Sequence, residues 1–337
     1  MINVYLLSTF ERPDEDTHWA SPYLALRKAF TETQSRDWQL VTTPEAADLI
    51  LVCPRARNPV FPIEVFRNGV AWRHRQKCVV VSTDDNPTLT HKGFYTSLRA
   101  GATRSPWLKG GFYPLVTYAT PDEPYPLDAN FRYLFSFLGN FDTHRIRHRI
   151  GELAAGPWAD TADNFLVKDT NRRNLREEVD AGAAFRQGYL AAMHDSKFIL
   201  CPRGMCPSSV RLFETIKACR VPVVISDEWA RPPEIPWDRF AIVVKEKDVP
   251  SIPDILAREE RTFVERASAA RKAWSDYFAT ESLANTVTRW GMSLVAEVRA
   301  THSPAHLAAL FAQTIHWRFL RRGVLSELRR LVGHTDS

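Results

Sequence analysis

Ser196 to Phe240 reads SKFILCPRGMCPSSVRLFETIKACRVPVVISDEWARPPEIPWDRF. The apolar run Lys197 to Cys201 has the length and content of a buried strand, and it ends in Pro202-Arg203-Gly204. Pro207-Ser208-Ser209 then open a helix whose apolar positions are Val210, Leu212, Phe213 and Ile216. A second buried strand follows at Val221 to Ile225. A helix that starts directly after a strand offers unpaired backbone N–H groups and the positive end of its dipole. Here Arg203, Arg211, Ser208 and Ser209 add cations and hydroxyls at the same place, the chemistry that holds a diphosphate.

Outward from this stretch the same grammar repeats. Ile2 to Leu7, Ala47 to Val52 and Cys78 to Val81 are β-rich runs separated by helix-like segments such as Tyr23 to Thr33 and Pro62 to Asn68. Alternating strands and helices imply a parallel sheet wrapped by helices. The proline-rich Pro121 to Pro126 reads as a linker, and a new strand begins at Tyr133 to Leu138. A helical stretch from Pro253 to Val298 closes the second unit. The chain has 337 residues, 45% apolar and 25% charged, enough for two α/β domains with their own cores. A net charge of +5 favours acidic small-molecule or lipid partners and is too dispersed to favour nucleic acid.

Many ordered residues of the central stretch resemble the donor-binding half of the exostosin-type glycosyltransferases: Ser196-Lys-Phe198, Pro202-Arg203-Gly204, Ser208-Ser209, Arg211-Leu-Phe213-Glu214, Pro222-Val-Val-Ile225, Ser226-Asp227, Trp229, Pro233 and Trp237. Further echoes lie at Leu134 to Gly139, at Arg147 with Ile150, and at Trp274 with Tyr277-Phe278. Cys219 departs from the pattern, which has glycine there in many members. The resemblance implies an α/β GT-B fold of two Rossmann-like domains facing a cleft. On this chain it divides as an acceptor domain at 1–126, a nucleotide-sugar donor domain at 127–300 and a basic amphipathic helical tail at 301–337. It also implies inverting sugar transfer from a nucleotide diphosphate. The donor is UDP-linked by family inference, with a GDP-sugar left open by the residues, and the acceptor is a glycan or lipid-linked glycan.

Breaking a glycosidic bond to a diphosphate requires charge compensation on the leaving group, which fixed cations and N–H dipoles supply without reorganising. Arg203 and Arg211 are the candidates, with Gly204, Ser208 and Ser209 completing the loop. Arg211 has an alternative partner in Glu214 at i,i+3, a pair worth only ~0.2–0.5 kcal/mol on a helix surface. The resemblance gives Glu214 the ribose hydroxyls; otherwise it is a solvated helix glutamate. Asp142 reads as the N-cap of a helix from Thr143 to Leu153 that carries Arg145, Arg147 and Arg149. Arg147 matches the family pattern and is placed near the diphosphate, against the alternative of a solvated basic face.

Inversion needs a base for the acceptor hydroxyl. Asp84 and Asp85 follow the strand at Cys78 to Val81, at the end where α/β sheets bind ligands, although Asp-Asp-Asn-Pro is also good turn chemistry. Glu11, Asp14, Asp16 and His18, in the loop after the first strand, are the competing set. Asp14-Glu15-Asp16 has the D-x-D form of a manganese motif, but it sits in a charge-rich loop. His194, Cys201 and Cys206 lack the spacing of a zinc site. The expectation is therefore a metal-independent enzyme without a cofactor. No G-x-x-x-x-G-K-[ST], G-x-S-x-G or G-x-G-x-x-G occurs, so kinase-type, hydrolase and dinucleotide-redox chemistry lose their usual support.

Ala305 to Leu331 interleaves leucines and aromatics with Arg318, Arg321, Arg322, Arg329 and Arg330. Such a helix pair either packs on its own domains or docks on an anionic membrane surface. With no signal peptide or spanning run in the sequence, the expected setting is bacterial and cytoplasmic, peripheral at the inner membrane, in polysaccharide or lipopolysaccharide assembly. The five cysteines are expected to be free thiols. The competing reading is a non-catalytic nucleotide-sugar-binding or partner subunit with the same fold.

Overall fold

Leu49 to Cys53 and Cys78 to Ser82 are buried at every position, the pattern of strands covered on both faces, and both lie in an all-parallel sheet. The computed structural model describes residues 1–9, 22–54, 65, 68–85, 87, 89, 91–114, 121, 123–154, 164–170 and 181–297. Contacts divide the chain into two units. Of the described residues, unit 1 holds those within Met1–Leu115 and Glu228–Pro232 and from Phe278 to Glu297; unit 2 holds those within Val116–Asp227 and Pro233–Tyr277.

Unit 1 runs β1 (Ile2–Ser8), α1 (Pro22–Glu32), β2 (Trp38–Leu40), β3 (Leu49–Cys53), α2 (Gly69–Arg73), β4 (Cys78–Ser82), β5 (Gly93–Tyr95) and β6 (Leu108–Gly110). Its sheet order is β2-β1-β3-β4-β5-β6. Unit 2 continues with β7 (Tyr133–Gly139), α3 (Arg145–Gly151), β8 (Phe165–Asp169), α4 (Ala181–His194), β9 (Ser196–Pro202), α5 (Val210–Lys217), β10 (Val221–Ile225), α6 (Trp237–Phe240), β11 (Ile242–Val243), α7 (Ile252–Glu259) and α8 (Phe263–Ala273). Its sheet order is β11-β10-β9-β7-β8, again parallel throughout. Two parallel α/β units agree with the GT-B expectation. The core of unit 2 gathers Phe135, Phe198, Val221, Val223 and Ile225 from the strands with Ile146 and Ile150 from α3.

The units are discontinuous, unlike the contiguous 1–126 and 127–300 segments expected from sequence. The last helix, α9 (Thr280–Glu297), belongs to unit 1. Its Trp290 packs on Phe94 and Phe112 with ring centroids 5.8 and 5.6 Å away. A Cβ on Gly291 would lie 2.8 Å from Leu49, so glycine lets the helix approach β3 this closely. Glu228–Pro232 also joins unit 1, where the Trp229 indole N–H donates to the Thr96 carbonyl at 2.9 Å. Neither return has a local sequence signal, because each depends on partners far along the chain.

One expectation needs correction. The N-cap of α3 is His144, whose Nδ1 accepts from the Ile146 N–H at 3.3 Å, not Asp142. Asp142 lies in a short 3₁₀ turn, Phe141–Thr143, capped by the Asn140 side chain. Cys219, the departure from the family pattern, has a φ of 60° that puts it in the left-handed region at the end of α5. Its N–H donates to the Ile216 carbonyl and that of Arg220 to the Thr215 carbonyl, both at 3.1 Å, closing the helix in a glycine-type cap. The glycine of the family pattern thus has a conformational reason, and a side chain here carries strain of roughly 1–2 kcal/mol. All five cysteines are buried thiols, none joined in a disulfide. The tail at 301–337 lies outside the described residues. Among those described, no helix is long and apolar enough to cross a membrane.

Candidate functional site

In unit 2 the chain runs from β7 outward to β8 on one side and returns to β9 on the other, so the strand order reverses between β7 and β9. Open parallel sheets bind ligands at such a point, beyond the carboxyl ends of the two strands. Pairing between β7 and β9 extends to Ser136 opposite Ile199. Beyond it, the carbonyls of Leu138, Asn140, Pro202 and Arg203 take hydrogen bonds from two guanidiniums.

Arg147 of α3 donates from Nε to the Arg203 carbonyl at 3.0 Å, and from its terminal nitrogens to Asn140 at 3.1 Å and Pro202 at 3.4 Å. These bonds use three of its five N–H donors. Arg211, on the first turn of α5, donates from Nε to the Tyr189 hydroxyl at 3.0 Å and from a terminal nitrogen to the Leu138 carbonyl. Both guanidiniums lie over the Phe137 ring, 5.6 Å from its centroid for Arg147 and 4.7 Å for Arg211. Burial, and then the neighbouring charge of Arg211, push the Arg147 guanidinium down to about 10. Two like charges held this close stabilise an anion placed beside them.

Glycines make room for both. A Cβ on Gly204 would stand 3.0 Å from a terminal nitrogen of Arg147, and one on Gly139 would stand 3.1 Å from Arg211. Sequence reasoning found Gly204 in its loop and did not single out Gly139.

Glu214 is 4% exposed, so it is not a solvated helix glutamate. Its Oε2 accepts from the Tyr189 hydroxyl at 2.6 Å, and Tyr189 in turn accepts from Arg211. The alternative i,i+3 partnership of Arg211 and Glu214 therefore runs through a third residue. Burial raises the Glu214 carboxyl above its ordinary range, while the Tyr189 hydrogen bond and Arg211 pull it down. Tyr189, buried on α4, escaped the sequence reading. Its helix carries no motif, and its partner Arg211 is 22 residues away.

Arg203 is 6% exposed and sits 3.7 Å from the Glu246 carboxylate, so part of its charge is already compensated. Glu246 also accepts from the Asp227 N–H at 3.3 Å and returns its own N–H to the Asp227 carboxylate at 3.1 Å. His144 is held below its ordinary range by burial and then by the Arg203 charge. Ser208 is 3% exposed, and its carbonyl accepts from the Cys206 thiol at 3.4 Å. Ser209 is the N-cap of α5 through its extended backbone, with no side-chain capping bond. Of the remaining arginines in the basic cluster, Arg149 caps the Glu246 and Lys247 carbonyls and Arg145 is exposed. The structure thus brings together Arg147, Arg203, Gly204, Arg211 and Glu214, and adds Phe137, Gly139 and Tyr189.

In unit 1, Asp84 and Asp85 follow the carboxyl end of β4 and are half-buried. The Asp84 N–H donates to the Ser82 hydroxyl at 3.3 Å, a turn bond of the kind the sequence also suggested. The competing Glu11, Asp14, Asp16 and His18 lie outside the described residues. Among the described residues no three His, Cys, Asp or Glu side chains are grouped to share a metal ion. Cys201 bonds instead to the Ile199 carbonyl, and His194 pairs with Asp195 at 2.8 Å.

Residues 96–258 match the model of the Exostosin GT47 domain. The chain is 41% identical to an Exostosin-1 homolog of Caenorhabditis elegans over 95 residues, 27% of this chain and 25% of that protein. It is 34% identical to a probable glucuronosyltransferase of Oryza sativa subsp. japonica over 138 residues, 40% of this chain and 29% of that protein. The matches thus span roughly a quarter of the length of these relatives. Among solved structures, the S. aureus MnaA–UDP co-structure is 12% identical with a TM-score of 0.42, covering 90% of this chain and 100% of its own. The matched segment contains every unit 2 site residue described above and begins after Asp85.

Proposed function

We propose that this chain, an exostosin-like protein whose residues 96–258 match the model of the Exostosin GT47 domain, transfers a sugar from a nucleotide-diphosphate sugar to a glycan acceptor. A UDP-sugar is favoured and a GDP-sugar is the alternative. The observation that carries the reading is the pairing of Arg147 and Arg211 over Phe137, at the point where the strand order of unit 2 reverses.

In this reading the N–H groups that Arg147 and Arg211 do not give to carbonyls or to Tyr189 hold the diphosphate. As the glycosidic bond breaks, negative charge grows on the leaving phosphate, and the fixed guanidiniums stabilise it without rearranging. Arg203, next to the end of β9 and partly compensated by Glu246, adds to the positive field. Glu214 accepts from the ribose. The acceptor hydroxyl loses its proton to Asp85, or to Asp84, as it attacks the anomeric carbon opposite the leaving group, which inverts the centre. The cationic work rests with the arginines, so the reaction is proposed to be metal-independent. Polysaccharide or lipopolysaccharide assembly is the proposed setting.

A thermal-shift panel of UDP- and GDP-sugars tests the donor, since a ligand that binds only the folded state raises the melting point by mass action. A shift with one nucleotide family, followed by release of that nucleoside diphosphate on adding a glycan acceptor, supports transfer. A shift without release under any acceptor would favour the binding-subunit reading. No shift with any nucleotide sugar would overturn both.

A further inference from the structure

We propose that Tyr189 is a positioning residue of the donor site, holding Arg211 away from Glu214 so that the arginine's charge stays available to a nucleoside diphosphate. This rests on the nucleotide-sugar reading above. The direction of the hydrogen bonds follows from chemistry. A guanidinium only donates, so the Arg211 Nε–H must donate to the Tyr189 oxygen at 3.0 Å. The phenol hydrogen is then left for Glu214, whose Oε2 receives it at 2.6 Å. Arg211 to Tyr189 to Glu214 is one ordered chain.

The chain fixes the guanidinium at two points. Nε is bound to Tyr189 and one terminal nitrogen to the Leu138 carbonyl, while the Phe137 ring lies under the plane. The Arg211 donors outside these two bonds lie in that plane. Arg211 and Glu214 are i,i+3 neighbours on α5, the spacing at which opposite charges pair directly. With the phenol oxygen removed, Nε loses its acceptor and the carboxylate becomes its nearest substitute. A direct ion pair would then compensate the charge the ligand needs. The Tyr189 hydroxyl is occupied by Arg211 on one side and Glu214 on the other, so it acts on the ligand through Arg211.

The test is calorimetric titration of the full chain with UDP and UMP, and with GDP and GMP in parallel, for wild type, Tyr189→Phe and Tyr189→Phe/Glu214→Gln. Wild type should prefer the diphosphate over the monophosphate. Tyr189→Phe should weaken diphosphate binding about tenfold and monophosphate binding far less, the size expected for one lost charge-assisted contact. Adding Glu214→Gln removes the carboxylate that would capture Arg211, so the diphosphate-to-monophosphate ratio should recover. An unchanged ratio in Tyr189→Phe, an equal loss for both nucleotides, or no recovery in the double variant would overturn the proposal. If Tyr189→Phe fails to fold, Tyr189→Met, which also removes the phenol oxygen, is titrated in its place with the same expected and overturning ratios. Absence of binding by wild type to all four nucleotides would instead defeat the nucleotide-sugar reading itself.

Discussion

Arg147 and Arg211 come from different helices, α3 and α5, yet their guanidiniums lie over one ring, that of Phe137. Each is anchored to carbonyls at the strand ends, so the two like charges are held near one another, and an anion placed beside them relieves their repulsion. Arg211→Ala should therefore weaken UDP binding by about 1.5–3 kcal/mol, the range for a charge-assisted contact. It should also lower the melting point, because the Leu138 carbonyl loses its donor. Calorimetry and a thermal melt on the same preparation check both; unchanged affinity would remove Arg211 from the site.

Gly204→Ala tests the same site from the loop side. The added Cβ would sit 3.0 Å from an Arg147 terminal nitrogen, at the end of a long side chain that gives way more readily than backbone. Arg147 should shift out of place, with nucleotide affinity falling about tenfold while the melting point changes by only a few degrees. A large stability loss with intact affinity in the folded fraction would contradict this.

The strand, loop, helix and strand of the donor segment were legible because each step has a local cause. The run at Lys197–Cys201 became β9, the helix begins at Val210, and Val221–Ile225 is β10 as read. Arg147 and Arg211 were also found, since both match a pattern of ordered residues. Their environment was not legible. Arg211 binds a carbonyl 73 residues away and a phenol 22 residues away. No spacing rule reaches such partners, and so Tyr189 and Phe137 went unassigned. Asp142 was misread as a cap because Asp is a better N-cap by type than His, yet the 3₁₀ turn at Phe141–Thr143 moves the helix start to His144. The return of α9 to unit 1 was invisible for the same reason as Tyr189: it is decided by Phe94, Phe112 and Leu49.

The buried Glu214 predicts a pH dependence with a definite sign. Its carboxyl is raised by burial, so the folded chain binds more protons than the unfolded chain at pH values between the ordinary carboxylate pKa and the folded one. Stability contributed by this group is therefore greatest in acid and is lost as pH rises through that window. In Glu214→Gln the dependence disappears, so the melting point of the variant relative to wild type should increase as pH goes from about 4 to 7. A relative decrease over that range would show that Arg211 and Tyr189 outweigh burial.

Cys219 should reverse the usual ranking of alanine and glycine. Alanine keeps the left-handed strain at φ 60° and loses the thiol's bond to the Ala267 carbonyl at 3.3 Å; glycine loses the same bond and releases the strain. Cys219→Gly is expected to be more stable than Cys219→Ala by roughly 1 kcal/mol, measured by urea denaturation. At an ordinary helix position the order would be the opposite by a similar amount.

Asp85→Asn tests the base. Asp85 lies in the loop that follows β4 and is half-buried. General-base catalysis typically contributes ~10²–10⁴-fold, so turnover should fall by that order with donor affinity nearly unchanged, because the unit 2 arginines are untouched. If Asp85 is only a turn residue, Asn fits the same Asp-Asp-Asn-Pro turn chemistry and turnover of the folded fraction stays near normal. Transfer rate, melting point and UDP affinity measured together separate the two. Near-normal turnover would move the base to Asp84, tested by the same substitution, or to Glu11, Asp14, Asp16 or His18 in the segment after β1.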